Sequence, residues 1–190
     1  MNRRLALLVG AAALLAAIVA AGVVLARDGD DASPGTPSGS AMPTATGSQP
    51  APVDATAAPD LAGEDPITGT TVRLADFSGK PVVINVWASW CPGCNEEAAD
   101  LREFAAAHPE AVVLGIDFQD TRSGAREFYR RWDWTHPSIW DVSGTKTAAL
   151  GLVGMPTTYF LDARHRIVAE VVGATDRVGF ERGLEIATRS

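Results

Sequence analysis

The stretch PVVINVWASWCPGCNEEAADL, residues 81–101, holds both cysteines of the chain, Cys91 and Cys94. Its first part, PVVINVW (81–87), is a nearly continuous apolar run, the pattern of a central strand covered on both faces. From residue 92 onward Cys94, Ala98, Leu101 and Ala105 recur at helical spacing until His108-Pro109 ends the run. Both cysteines therefore sit where a buried strand gives way to a helix. Cysteines three apart at a helix start share a face and lie close enough to bridge.

Three uses of such a pair compete. A bridge across CxxC closes a tiny loop and constrains the unfolded chain little, so it is a poor staple. A structural zinc site takes four ligands, and His108, His136 and His165 are scattered with no spacing that completes one; each reads as a surface or loop histidine. Redox chemistry fits best. Cys91 falls at the helix N-terminus, where free backbone N–H groups and the dipole stabilise a thiolate and make it the attacking sulfur. Cys94 lies one turn in, on the buried stripe, protonated until it resolves a mixed disulfide. Pro92 has no N–H to lose in the first turn, and Pro92 with Gly93 limits which donors reach the sulfur. Trp90 reads as a cover for the site that meets a partner protein, with Trp87 packed beneath it; Trp132, Trp134 and Trp140 read as core or rim.

Around this motif the chain alternates. TVRL (71–74) suits a short strand, AVVLGID (111–117) a second buried strand, and 122–132 a helix with Ala125, Phe128, Tyr129 and Trp132 on one side. A short strand near 138–140 and a helix near 146–150 follow. TTYFLD (157–162) and RIVAEVV (166–172) form a hairpin, and a last helix spans about 176–188 with Asp176 as N-cap. The order predicts an α/β domain: a central mixed β-sheet flanked by helices.

Ahead of this domain, Arg3 and Arg4 precede the 22 apolar residues 5–26, long enough as a helix to span a bilayer. The arginines before the run and Asp28, Asp30 and Asp31 after it favour a cytoplasmic N-terminus and an exported C-terminus. Residues 1–27 thus read as a transmembrane anchor or a cleaved signal peptide. Residues 28–60 lack Leu, Ile and aromatic residues and are rich in Pro, Gly, Ser, Thr and Ala, so they read as a disordered linker, with the folded domain at 61–190. The whole chain has a net charge of −7 and no basic block, which argues against a nucleic-acid partner.

WASWCPGC after GKPVVINV, with GLVGMPTTYFLD further on, resembles the thioredoxin superfamily and, more narrowly, the membrane-anchored TlpA/ResA-like extracytoplasmic thiol-disulfide oxidoreductases. The resemblance covers about residues 60–190. It implies a thioredoxin-like fold, a cis bond between Met155 and Pro156, and a proline loop whose Met155 backbone pairs with an extended substrate. Thioredoxins often carry a buried Asp where this chain has Asn85, which cannot ionise. The CxxCxxE pattern of the narrower family is matched by Cys94-Asn95-Glu96-Glu97, which implies Glu97 as acid/base for Cys94; the bland alternative is a solvated first-turn glutamate, as Glu96 is expected to be. Ala99 departs from the proline common in the family at that place.

The resemblance further implies a single-pass protein of the bacterial cytoplasmic membrane, or a secreted one if the signal is cleaved. It would reduce disulfides of exported proteins, such as apocytochrome c, and be recharged by a membrane thiol-transfer electron donor. It needs no organic cofactor or metal beyond the redox-active disulfide Cys91–Cys94. The same chemistry run as a disulfide oxidase, and a copper-delivery chaperone, are the rivals. A peroxidase reading fails because neither cysteine lies in a Pro-x-x-x-Thr-x-x-Cys setting.

Overall fold

The computed structural model describes residues 47–190. The anchor proposed for residues 1–27, and the linker up to residue 46, lie outside the described residues. Eight strands follow in order: β1 (Ala51–Ala57), β2 (Ala62–Glu64), β3 (Thr71–Arg73), β4 (Val82–Trp87), β5 (Val112–Phe118), β6 (Ser138–Asp141), β7 (Thr157–Leu161) and β8 (Arg166–Val172). The helices are α1 (Pro92–Ala107), α2 (Arg122–Trp132), α3 (Thr145–Ala149) and α4 (Arg177–Arg189), with a 3-10 turn at Leu74–Phe77.

Six strands form one mixed sheet in the order β1-β8-β7-β4-β5-β6, and β2 and β3 make a separate small hairpin. β4 lies at its centre, parallel to β5 and antiparallel to β7. Because strand side chains alternate between faces, β4 sends Val83, Asn85 and Trp87 one way and Val82, Ile84 and Val86 the other. Val83 and Trp87 join a core with Leu101 and Phe104 of α1, Phe128 of α2 and Phe180 of α4. Val82, Ile84 and Val86 join a second core with Leu61, Val72, Leu74 and Leu150. Both sheet faces are therefore covered, which is why the sequence of β4 is apolar throughout.

One expected boundary needs correction. Residues 51–57, assigned to the linker, form β1 and pair antiparallel with β8 at the sheet edge, so the folded domain does not begin at residue 61. Nearly every β1 side chain is exposed, so the strand carries no apolar alternation to read. Its pairing is a backbone effect that composition does not signal. The ladder shifts register between Pro52 and Thr56, a bulge at an edge, where a proline is tolerated.

Close packing between α4 and β7 gives a stability test. A Cβ added at Gly183 would overlap the ring of Phe160, which is fully buried and has nowhere to swing. Gly183→Ala gains about 1 kcal/mol in helix propensity but overpacks the core by about 1–3 kcal/mol. A net loss is the expected result, read as a lower urea midpoint; a more stable variant would show that this helix can slide.

Candidate redox site

Cys91 and Cys94 form a disulfide with a Cα–Cα distance of 5.3 Å. Cys91 is the N-cap of α1, and its Sγ accepts the backbone N–H of Cys94 at 3.2 Å, the donor expected to stabilise a thiolate there. Pro92 occupies the first helical turn, as its missing N–H allows. The strand that delivers the motif is anchored by Trp87, whose Nε1 donates to Ser138 Oγ at 3.1 Å. Its ring packs against Phe128, Tyr129 and Trp134 with centroids 4.7–5.5 Å away, so Trp87 is the floor of the site.

The loop between β4 and α1 is held by a residue that sequence reading missed. Asp120 accepts the Ser89 N–H at 2.6 Å and the Ser89 hydroxyl at 3.0 Å. Only long-range packing brings Asp120 to Ser89, and nothing local in the sequence marks it. Asn95 adds a second tie, donating to the carbonyls of Ser89 and Cys91 and accepting from Trp132 Nε1.

Met155-Pro156 is a cis peptide, as the resemblance implies. Gly173 N–H donates to the Pro156 carbonyl and Thr157 Oγ1 to the Gly154 carbonyl, both at 2.8 Å, which fixes the loop that leads from α3 into β7. A Cβ at Gly93 would come within 2.9 Å of Pro156 Cδ, so the proline ring lies directly against the CPGC turn and glycine is needed for that approach. Cys91 is only 3% exposed and Cys94 1%, whereas Trp90 is 57% and Val153 82% exposed. The disulfide thus offers only a sliver of Cys91, next to the exposed Trp90.

Glu97 is not a solvated first-turn glutamate: it is buried, at 2% exposure. The inward face of α1 runs Cys94, Glu97, Ala98, Leu101 and Phe104; Ala105, placed on that stripe from sequence, is only half-buried. Glu96 is exposed, as expected. Two donors converge on the Glu97 carboxylate. Asn85 on β4, which alternation aims at α1, donates Nδ2 to Oε1 at 2.7 Å and to Thr158 Oγ1 at 3.0 Å. The backbone N–H of Thr175, beyond β8, donates to Oε2 at 3.0 Å. Those two bonds favour the ionised acid, but burial outweighs them and pushes its pKa up to about 7. Asn85 thus donates to a buried acid that the helix supplies.

A second buried acid has no place in the sequence reading. Asp117 on β5 is fully buried next to Trp87, and neither carboxylate oxygen has a hydrogen-bond partner. Burial, with Asp120 and Asp65 nearby, pushes its pKa up to about 8. His136 lies in the loop before β6, as expected, and is half-buried: its ring packs on Trp134 at 4.4 Å, its Nε2 is buried without a partner, and burial pushes its pKa down to about 3. Aromatic neighbours contributed by α2 and the following loop cause that burial. His108 pairs with Glu110 and His165 sits in the β7–β8 turn against the Phe77 carbonyl. Among the described residues no group of three or more His, Cys, Asp or Glu is placed to hold a metal ion.

Residues 55–170 match the model of the AhpC/TSA family. The thiol:disulfide interchange protein DsbE of Pseudomonas aeruginosa is 35% identical over 104 residues, covering 54% of this chain and 57% of that protein's own length. The thiol-disulfide oxidoreductase ResA of Bacillus thuringiensis is 26% identical over 124 residues, covering 64% of this chain and 72% of the relative. The crystal structure of a DsbF homologue from Corynebacterium diphtheriae superposes with a TM-score of 0.67 at 28% identity, covering 76% of this chain and 96% of the other. With the helix-capping CxxC disulfide and these relatives, the chain belongs to the AhpC/TSA family, among its thioredoxin-like thiol–disulfide oxidoreductases.

Proposed function

We propose that this protein is a membrane-tethered extracytoplasmic oxidoreductase that reduces disulfides of exported proteins, with apocytochrome c as the substrate type. The Cys91 thiolate attacks one substrate sulfur; a Cys91–substrate bond forms, the substrate disulfide breaks, and the freed substrate thiolate takes a proton from water. Cys94 then passes its proton to Glu97 and attacks Cys91 Sγ, expelling the second substrate thiolate. Two electrons have moved to the substrate, and the protein is left with its Cys91–Cys94 disulfide. A membrane thiol-transfer protein returns the pair to the dithiol by the same exchange. No organic cofactor or metal enters this cycle.

The observation that carries the reading is Glu97, buried one helical turn beyond Cys94 with its pKa near 7. An acid so poised is about half ionised at neutral pH, so it can take the Cys94 proton and give it up again. The exposed Trp90 next to Cys91, and the Pro156 ring set against Gly93, support docking of an extended chain on the proline loop. Kinship with DsbE and ResA supports thiol–disulfide exchange as the chemistry, and the apolar run at residues 5–26 supports the tether and hence exported substrates.

Equilibration with glutathione tests the direction. A reductant is expected to have a potential below about −200 mV, toward the thioredoxin end of the scale. A value near about −120 mV, at the strongly oxidising end, would overturn the reductive assignment in favour of disulfide formation.

A further inference from the structure

The start of the described chain reaches the redox centre. Ser48 N–H donates to the Ala174 carbonyl at 2.9 Å, and the Thr175 hydroxyl donates to the Ser48 carbonyl at 2.6 Å. Gly47 lies so close that a Cβ there would stand 2.7 Å from Thr175 Cα, a contact only glycine accommodates without a shift. Immediately afterwards the chain enters β1, pairing with β8, the strand that leads into Ala174 and Thr175. Thr175 is the residue whose N–H holds Glu97 Oε2. Its two polar groups thus face opposite ways, one to the N-terminal segment and one to the buried acid.

We propose that Gly47 and Ser48 are a positioning clamp of the redox centre, which grips Ala174-Thr175 and thereby keeps the Thr175 amide on the Glu97 carboxylate. Gly47 and Ser48 touch no reacting atom; they act through Thr175. Their catalytic consequence rests on the reading of Glu97 as proton acceptor for Cys94, whereas the clamp itself does not. The loop needs such a grip because it lies outside any strand or helix, between the end of β8 and the first turn of α4. Asp176 caps α4 by accepting the Gly179 N–H, which fixes only the far side of Thr175.

The groups that act on Glu97 leave room for this effect. β4 and β7 present neutral Asn85 and Thr158. On α1 the charged neighbour is Asp100, itself influenced by Glu103 on the same helix and by Asp176 and Arg177 at the start of α4. The Thr175 amide opposes burial and the Asp100 charge, holding the Glu97 pKa lower than they alone would. Withdrawing it therefore moves the Glu97 midpoint upward.

The test uses the full chain with Thr175→Val, which deletes the hydroxyl but keeps shape, Thr175→Ser, which restores it, and Ser48→Pro, which removes the N–H given to Ala174. Carbon-13 NMR titration of glutamate carboxyls in the disulfide form, with Glu97→Gln to assign the signal, reads Glu97 directly. Thr175→Val and Ser48→Pro are expected to raise its midpoint by about one pH unit, and Thr175→Ser to leave it at the wild-type value. An unmoved midpoint in both disrupting variants, or an equal rise in Thr175→Ser, overturns the clamp. The pH profile of exchange with oxidised glutathione is measured in parallel. If the carboxyl midpoint shifts but the profile does not, the clamp stands and the role of Glu97 as proton acceptor falls.

Discussion

Cys91→Ser is expected to lower the rate of thiol–disulfide exchange by about 10³-fold or more, because no other sulfur can attack from the same place. Cys91 is the residue at the helix cap and beside the Pro156 loop, whereas Cys94 sits beneath at 1% exposure. Cys94→Ser should behave differently. It retains the first attack and cannot complete the second, so a mixed disulfide on Cys91 accumulates and is seen as added mass in the intact protein. Cysteine adducts on Cys94 in the reciprocal variant, with exchange surviving in Cys91→Ser, would reverse the two assignments. The low exposure of Cys91 adds a condition: small thiols and protein partners should react at rates governed by access past Trp90 and the proline loop, and not by thiolate content alone.

The second large effect concerns stability against pH. Asp117 has an ordinary pKa of about 3.9 in the unfolded chain. In the folded protein burial raises it to about 8. The folded state therefore holds this proton more tightly, so the contribution is fully present below the unfolded value and is lost as pH rises through the folded one. Glu97, raised to about 7, acts in the same sense over a narrower window. Asp117→Asn carries no titrating group, so its urea stability relative to wild type is expected to rise by about 3 kcal/mol between pH 5 and pH 8. The change with pH is the readout, since a buried amide shifts both ends alike. Parallel curves for the two proteins would mean that Asp117 finds a partner when ionised.

The redox motif was legible because its chemistry is local. A strand, a turn and a capped helix place Cys91, Pro92 and Cys94 within a few residues of one another, and each is found where that spacing puts it. The sheet was legible for a related reason: β4 and β5 are buried on both faces and so are apolar along most of their length. β1 was not. It is fixed by backbone hydrogen bonds to β8 while its side chains face solvent, and small exposed residues at an edge look the same whether paired or loose. Asp117 was missed for a third reason, since its environment includes Trp87, Asp65 and Asp120, brought together by packing.

By itself, then, the sequence determined the order of strands and helices from β3 onward and the position of the two sulfurs on one of them, since periodicity and capping act over a few residues. Only the tertiary structure decided what surrounds Glu97. Its partners Asn85 and Thr175 are 12 and 78 residues away along the chain, and Ser48 reaches Thr175 across 127. Burial in a packed interior, and hydrogen bonds that only packing can bring together, set the acidity of that carboxyl; no pattern within a single helix contains either.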